Sequence, residues 1–156
     1  MGYNDIFAQI VAAGRVPPPP SAVANYLPYR IIGNQLLLSG QAPFFGETLK
    51  YTGKVGDSVS IADGTAAARL TGINLLYVAQ QALGTLDRVV NVIEVEGMVN
   101  CTPDFTQQSA VINGCSDLMV EVFGSVHGKH VRSAAGNVAL AFNITVEIKI
   151  SFEIAL

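Results

Sequence analysis

The chain has 156 residues, a length typical of one domain with a sizeable core. Half of its residues are hydrophobic, only 13% are charged, and the mean hydropathy is +0.40, whereas ordinary globular domains carry about 25% charged residues. The net charge is −3, and the nine Lys and Arg are scattered along the chain. Because nucleic-acid binding depends on neutralising phosphates, this distribution argues against a nucleic-acid partner.

The apolar excess predicts burial either in a membrane or against a partner. A membrane helix needs about 20 consecutive apolar residues, and two glutamines, an asparagine and a glycine interrupt the longest candidate, Ile73–Leu86. We therefore predict no membrane span and an oligomer interface. The first residues contain no basic stretch followed by an apolar one, so we predict no signal peptide and a cytoplasmic protein.

The N-terminal segment predicts a short amphipathic helix. Apolar residues recur at helical spacing within Tyr3–Ala13. Pro17–Pro20 cannot continue a helix and predict a polyproline II segment. Since this piece is too short for its own core, residues 1–156 are interpreted as one domain, in which residues 1–20 form an N-terminal helix and a proline-rich extension.

Two short apolar runs, Tyr29–Ile32 and Gln35–Ser39, flank Gly33-Asn34 and predict a β-hairpin. Residues 40–60 contain four glycines among polar residues, which predicts a long loop with room for a second hairpin. Ala62–Leu86 follows with a helical pattern over six turns.

The second half of the chain predicts strand, helix, strand and strand. Arg88–Asn100 is rich in Val and Ile, and Thr102-Pro103-Asp104 combines a cap hydroxyl, a proline and an acid, which predicts a helix start. That helix carries Cys115 on its apolar stripe, predicting a buried thiol, and ends near Gly124.

Ile144–Ile154 alternates apolar and polar residues, the period of a strand with one buried face, and Arg132–Leu140 precedes it as a predicted partner strand. The order of elements predicts an α+β fold in which a single mixed sheet carries two helices on one face.

The motifs of common enzymes, such as a P-loop, GxSxG or HExxH, do not occur in this sequence. His127 and His130 are predicted to be loop histidines, because a metal site needs three or four ligands. No cofactor or metal is therefore predicted.

Arg132 is the candidate binding residue, because it stands among small residues that leave room for a planar anion on its forked donors. The alternative is a surface arginine paired with Glu147 or Glu153. Glu147 itself is either functional or a solvated partner of Lys149. Tyr26 is either a lid aromatic or a packing residue.

Several motifs carry a resemblance to a known family. Gly33–Pro43 (GNQLLLSGQAP) resembles the "GN-hydrophobic-SGQ-x-P" signature near the start of YjgF/RidA proteins. Asp104-Phe105 resembles the family's "DF", His130–Ala134 its "PARS" motif, and Val146–Ile148 its "VEIE" strand, in the expected order. The resemblance spans roughly residues 22–155. The chain length and the stretches Asn113–Leu118 and Val122–Gly124 resemble a longer subgroup of that family, which has an extra N-terminal segment and a longer loop after SGQ.

The resemblance implies a chorismate-mutase-like homotrimer with a barrel-like core and clefts between subunits. It implies that Arg132 grips the carboxylate of a 2-imino or 2-enamino acid, and that Tyr26, Ser39, Gly40 and Glu147 belong to the same site. The sequence also departs from the family pattern. His130-Val131 replaces Pro-Ala, Ala141 replaces a proline, and the helix asparagine of short members falls on Ser109.

Two functions follow from the resemblance. The first is a deaminase that hydrolyses reactive 2-imino or 2-enamino acids to 2-keto acids and ammonia, with Arg132 holding the carboxylate and Glu147, with Ser39, orienting the water. The alternative is a non-catalytic trimeric binder of small carboxylate metabolites. An endoribonuclease is not favoured, since the sequence has no basic groove or stacking aromatics.

Overall fold

A five-stranded sheet with helices on one face forms the core of the computed structural model, which describes residues 1–22 and 24–156. A separate two-stranded ribbon lies beside it. The elements are, in chain order, α1 Tyr3–Gly14, β1 Tyr29–Ile32, β2 Gln35–Leu38, β3 Phe44–Phe45, β4 Thr48–Leu49, α2 Ile61–Leu83, β5 Val89–Asn100, α3 Gln108–His127, β6 Val131–Asn137 and β7 Val146–Ile154.

The strand order in the main sheet is β1-β2-β7-β5-β6. All neighbours are antiparallel except β5 and β6, which are parallel, so the predicted single mixed sheet is confirmed. The predicted pairing of Arg132–Leu140 with the C-terminal strand is wrong, because β6 pairs only with β5 and forms one edge of the sheet. The connection through α3 returns the chain in the direction of β5, as parallel neighbours require.

Both predicted hairpins are present. The turn between β1 and β2 contains Gly33 with a φ of 59°, in the left-handed region that a side chain disfavours. The ribbon of β3 and β4 forms the second hairpin within the loop of residues 40–60, with Gly46 at a φ of 62° in its turn.

Helices α2 and α3 pack against each other and against one face of the sheet. The hydroxyl of Ser60 caps α2 by accepting from the Asp63 N–H at 3.1 Å. Gly114 lies where the two helices approach most tightly, since a Cβ at this position would stand 2.0 Å from the carbonyl oxygen of Thr65. This contact leaves no room for a side chain at position 114 of α3.

The predicted start of α3 at Thr102-Pro103-Asp104 is wrong. The carbonyl oxygen of Thr102 accepts from the Phe105 N–H and closes a turn, and the helix begins at Gln108. The Gln108 side chain donates to the Phe105 carbonyl at 2.8 Å, which fixes that turn against the first turn of the helix. Cys115 is buried and Gly124 has non-helical dihedral angles, as predicted for the helix stripe and its end.

Helix α1 packs on the helical layer. The ring of Tyr3 meets Phe123 edge-on at 5.0 Å, and Phe7 is 1% exposed against Tyr77. The Tyr77 hydroxyl donates to the carbonyl of Val16 at 2.6 Å, just before the prolines. Residues 16–22 form neither helix nor strand.

The two faces of the sheet differ in chemistry. The apolar residues of β7 alternate toward the helices and are buried, which confirms the predicted pattern. Glu147, Lys149, Ser151 and Glu153 alternate onto the opposite face, called here the open face. Lys149 forms an ion pair at 3.1 Å with Glu96, its cross-strand neighbour on β5, rather than with Glu147.

None of the helices built from the described residues is both long enough and apolar enough to span a membrane.

Candidate functional site

Arg132 is held by α3. Its Nη1 donates to Asn113 Oδ1 at 2.7 Å and to Ser116 Oγ at 3.2 Å, and its Nη2 lies 3.4 Å from the Ser109 carbonyl oxygen. These partners are neutral oxygens. Within residues 1–22 and 24–156 no carboxylate pairs with Arg132, so an ion pair with Glu147 or Glu153 does not form within one chain.

A histidine and a serine extend this cluster. His130 Nδ1 lies 2.7 Å from the Gly128 carbonyl oxygen, which can only accept, so Nδ1 carries the proton of the neutral ring. His130 Nε2 therefore accepts from the Ser116 hydroxyl at 2.9 Å. Burial lowers the pKa of His130, and the charges of Arg132 and Lys129 lower it further, against the opposing effect of the Gly128 carbonyl.

The contacts that hold Arg132 and His130 were missed by the sequence analysis. The asparagine sought at Ser109 stands one helical turn later, at Asn113. Residues 109, 113 and 116 are spaced at i, i+4 and i+7, so they share one face of α3. These three polar residues lie beside the buried apolar stripe of the helix, and their shared face was the signal available in the sequence.

Glu147 lies at a second place. With Tyr26 and Gly40 it lines a cavity of about 360 Å³, bounded also by Phe142. Gly40 makes room for the carboxylate, because a Cβ there would stand 3.1 Å from the Glu147 carboxyl carbon. Tyr26 is 49% exposed at the cavity wall.

Ser39 has a structural contact. Its hydroxyl donates to the Leu27 carbonyl at 2.5 Å, and its backbone N–H donates to the Pro28 carbonyl at 3.0 Å. Ser39 therefore fastens the segment that carries Tyr26 to the end of β2.

Within one chain the predicted site residues fall into two groups. Arg132 pairs with the buried Val95 and points to the helical face of the sheet, whereas Glu147 alternates onto the open face. Their strands, β6 and β7, are separated by β5. Tyr26 and Gly40 accompany Glu147, and Ser39 precedes Gly40 directly. Arg132 is not among the residues that line their cavity.

Over the described residues, no three His, Cys, Asp or Glu side chains stand close enough to share a metal ion.

The thiol of Cys115 is expected to be inert in the folded protein. Burial raises its pKa to about 12, although the nearby Arg132 charge opposes the rise. In a Cys101→Ser variant, which leaves one thiol, labelling by a disulfide reagent at pH 8 should be at least about 100-fold slower than in denaturant. Labelling at the rate of an exposed thiol would contradict the burial of Cys115.

Comparison with known proteins places the chain in a family. The sequence profile described as "YjgF/chorismate_mutase-like, putative endoribonuclease" matches residues 7–153. Protein TCP17 of Trypanosoma cruzi is 39% identical over 150 residues, covering 89% of this chain and 94% of that protein.

Solved structures of other proteins share the fold of this chain. Atu1372 of Agrobacterium tumefaciens is 36% identical in sequence, and its structure aligns with a TM-score of 0.89. The alignment covers 98% of this chain and 95% of the Atu1372 chain. The structure of Escherichia coli TdcF with bound serine, 18% identical with a TM-score of 0.63, shares the fold over 88% of this chain and 94% of its own.

The α+β fold is therefore of the chorismate-mutase-like class. The chain belongs to the YjgF family, as the predicted resemblance indicated.

Proposed function

We propose that this protein hydrolyses reactive 2-imino or 2-enamino acids to 2-keto acids and ammonia. The observation that carries the proposal is the environment of Arg132. Its guanidinium is positioned by Asn113, Ser116 and the Ser109 carbonyl, all neutral, so its positive charge is complementary to an added carboxylate. TdcF, a protein of the same fold, is described with bound serine, which also carries a carboxylate.

We propose further that the site is completed in a homotrimer, with Arg132 from one copy facing Tyr26, Gly40 and Glu147 of a neighbour. The separation of Arg132 and Glu147 on opposite faces of one sheet supports this arrangement, because a single chain does not bring them together. Apolar side chains on the open face also favour an interface, since Leu37 is 40% exposed and Val131 63% exposed.

The proposed chemistry is addition of water followed by loss of ammonia. An enamine first gains a proton at carbon and loses one from nitrogen, and so becomes the imine. Arg132 fixes the carboxylate, and with it the adjacent imine carbon. Glu147 accepts a proton from the attacking water as the C–O bond forms, and passes it to the nitrogen to give a carbinolamine. The hydroxyl proton of the carbinolamine then moves to the nitrogen as the C–N bond breaks, so ammonia leaves and the oxygen becomes the ketone of a 2-keto acid.

The alternative is a trimeric protein that binds small carboxylates without turnover. One observation favours it: the Ser39 hydroxyl donates to the Leu27 carbonyl and is committed to that contact rather than to a water. Binding requires only Arg132 and its supports, whereas turnover also requires Glu147. The two functions therefore differ in whether Glu147 is required.

Ammonia release from freshly generated 2-aminoacrylate tests the proposal. The wild-type protein should accelerate release, and Glu147→Gln should lower the accelerated rate by at least about 100-fold, because an amide cannot accept the proton of water. Lys149→Gln, two residues along the same open face, should retain the rate and serves as the matched control. A wild-type protein that binds pyruvate but does not accelerate ammonia release would favour the binder.

Mixed oligomers test the shared site. Arg132→Ala and Glu147→Gln chains, each expected to be about 100-fold less active than the wild type, should regain activity when they are refolded together. If each site combines two neighbouring copies, random mixing should restore about a quarter of the wild-type activity. No recovery, with mixed oligomers shown by mass spectrometry, would place both residues in the same chain's site and contradict the arrangement.

A further inference from the structure

Ser116 stands between a base and a cation. Its Oγ lies 2.9 Å from His130 Nε2 and 3.2 Å from Arg132 Nη1. With the neutral ring fixed by the Gly128 carbonyl, the Ser116 hydroxyl donates to His130 and accepts from Arg132. In this state Ser116 presents no proton to a ligand on the guanidinium.

A proton on His130 reverses the first of these bonds. His130 Nε2–H then donates to Ser116 Oγ, and the hydroxyl proton of Ser116 is free to turn toward a ligand beside Arg132. The site gains both a donor and one positive charge. A carboxylate bound there would offset that charge, so each event favours the other.

We propose that His130 and Ser116 are positioning residues of the Arg132 site, and that a carboxylate binding there draws one proton from solvent onto His130 Nε2. This inference rests on the proposed function, because it takes Arg132 as the carboxylate-binding residue. It adds two residues to which the family resemblance assigns no role, one of them, His130, standing where the family has a proline.

The charges around His130 are consistent with this coupling. Arg132 on β6 and Lys129 in the preceding loop both act against a second positive charge, and α3 contributes Ser116 and, beside Arg132, the protonated thiol of Cys115. No carboxylate is among the groups that shift the pKa of His130. Within one chain an incoming carboxylate therefore supplies the negative charge that the groups around His130 lack. In the proposed trimer the Glu147 carboxylate of the neighbouring copy also faces this site.

The sign of the pH dependence follows from this arrangement. The free His130 has a pKa below its usual 6.5, and the bound carboxylate raises it. Affinity should be highest at a pH below the free pKa, fall as the pH rises through the bound pKa, and level off above it. The expected gain between pH 8 and pH 5.5 is about fivefold or more, the lower range of coupling between linked sites.

The experiment titrates the histidine ring protons by NMR with and without saturating pyruvate, and measures pyruvate affinity by calorimetry from pH 5.5 to 8. The chain has two histidines, so His127→Gln assigns the remaining signal to His130. Pyruvate should raise the pKa of His130 and leave that of His127 unchanged. His130→Gln, which still offers Ser116 a neutral acceptor, should bind pyruvate with a flat pH profile, and Ser116→Ala should reduce the slope.

The outcomes separate the two proposals. A His130 pKa that pyruvate does not move, or a His130→Gln variant with the wild-type pH profile, overturns the inference while leaving Arg132 as the anchor. If Arg132→Ala binds pyruvate as tightly as the wild type, or if the wild type does not bind it, the proposed function fails and the inference with it. The His127→Gln variant should keep the wild-type affinity and slope.

Discussion

Arg132→Ala should lower kcat/KM for ammonia release from 2-aminoacrylate by about 100-fold, the loss expected for two charge-assisted hydrogen bonds to one carboxylate. Because the guanidinium holds the acid rather than the reacting atoms, much of the loss should appear in KM. The variant should stay folded, since Arg132 lies on an edge strand and its partners Asn113 and Ser116 can reach solvent.

Two further variants sharpen this prediction. Arg69→Ala removes another arginine that contacts α3, through an exposed ion pair with Glu121 at 2.8 Å, and should keep the wild-type kcat/KM. Arg132→Lys keeps the charge without the planar fork, so it should recover only part of the loss. Equal activities of Arg132→Ala and the wild type would remove the carboxylate anchor from the proposed mechanism.

Gly114→Ala should lower the free energy of unfolding by about 3 kcal/mol, at the upper end of the cost of overpacking a core. The added methyl group would stand 2.0 Å from the Thr65 carbonyl oxygen and 3.1 Å from the Arg69 backbone nitrogen. Both are backbone atoms of α2, so relief requires the two helices to separate. Urea denaturation of the two proteins measures the difference.

Gly64→Ala is the matched control for Gly114→Ala. Its methyl group would meet only side-chain methyls, 3.1 Å from Val55 and 3.3 Å from Val111, which can adjust by small rotations. Alanine also favours the helix over glycine by about 1 kcal/mol. The loss at Gly64 should therefore be less than half of that at Gly114. Similar losses in the free energy of unfolding at both positions would show that α2 and α3 can separate at Gly114 without the expected cost.

The parts of the fold that depend on local pattern were predicted well. The alternation in β7 predicts a strand with one buried face, and Gly33-Asn34 predicts the hairpin, because both signals depend on a few neighbouring residues. Arg132 and Glu147 were likewise proposed as site residues from short motifs. Their placement on opposite faces was not, since it depends on the register of three strands.

The errors occurred where distant segments decide the structure. β6 carries no pattern that distinguishes pairing with β5 from pairing with β7, and α3 determines the choice by returning the chain parallel to β5. Thr102-Pro103-Asp104 has the composition of a helix start, but the Thr102 carbonyl closes a turn instead. Asn113 and Ser116 gain their roles only through contact with β6.

The position of β7 has a consequence for biosynthesis. This strand follows every other described strand in sequence, yet it occupies the middle of the sheet and joins the β1–β2 hairpin to β5 and β6. A nascent polypeptide can assemble its helices early, but the two halves of its sheet stay apart until β7 has emerged from the ribosome. Translation that stops before β7 would therefore leave two half-sheets with unpaired, aggregation-prone edges.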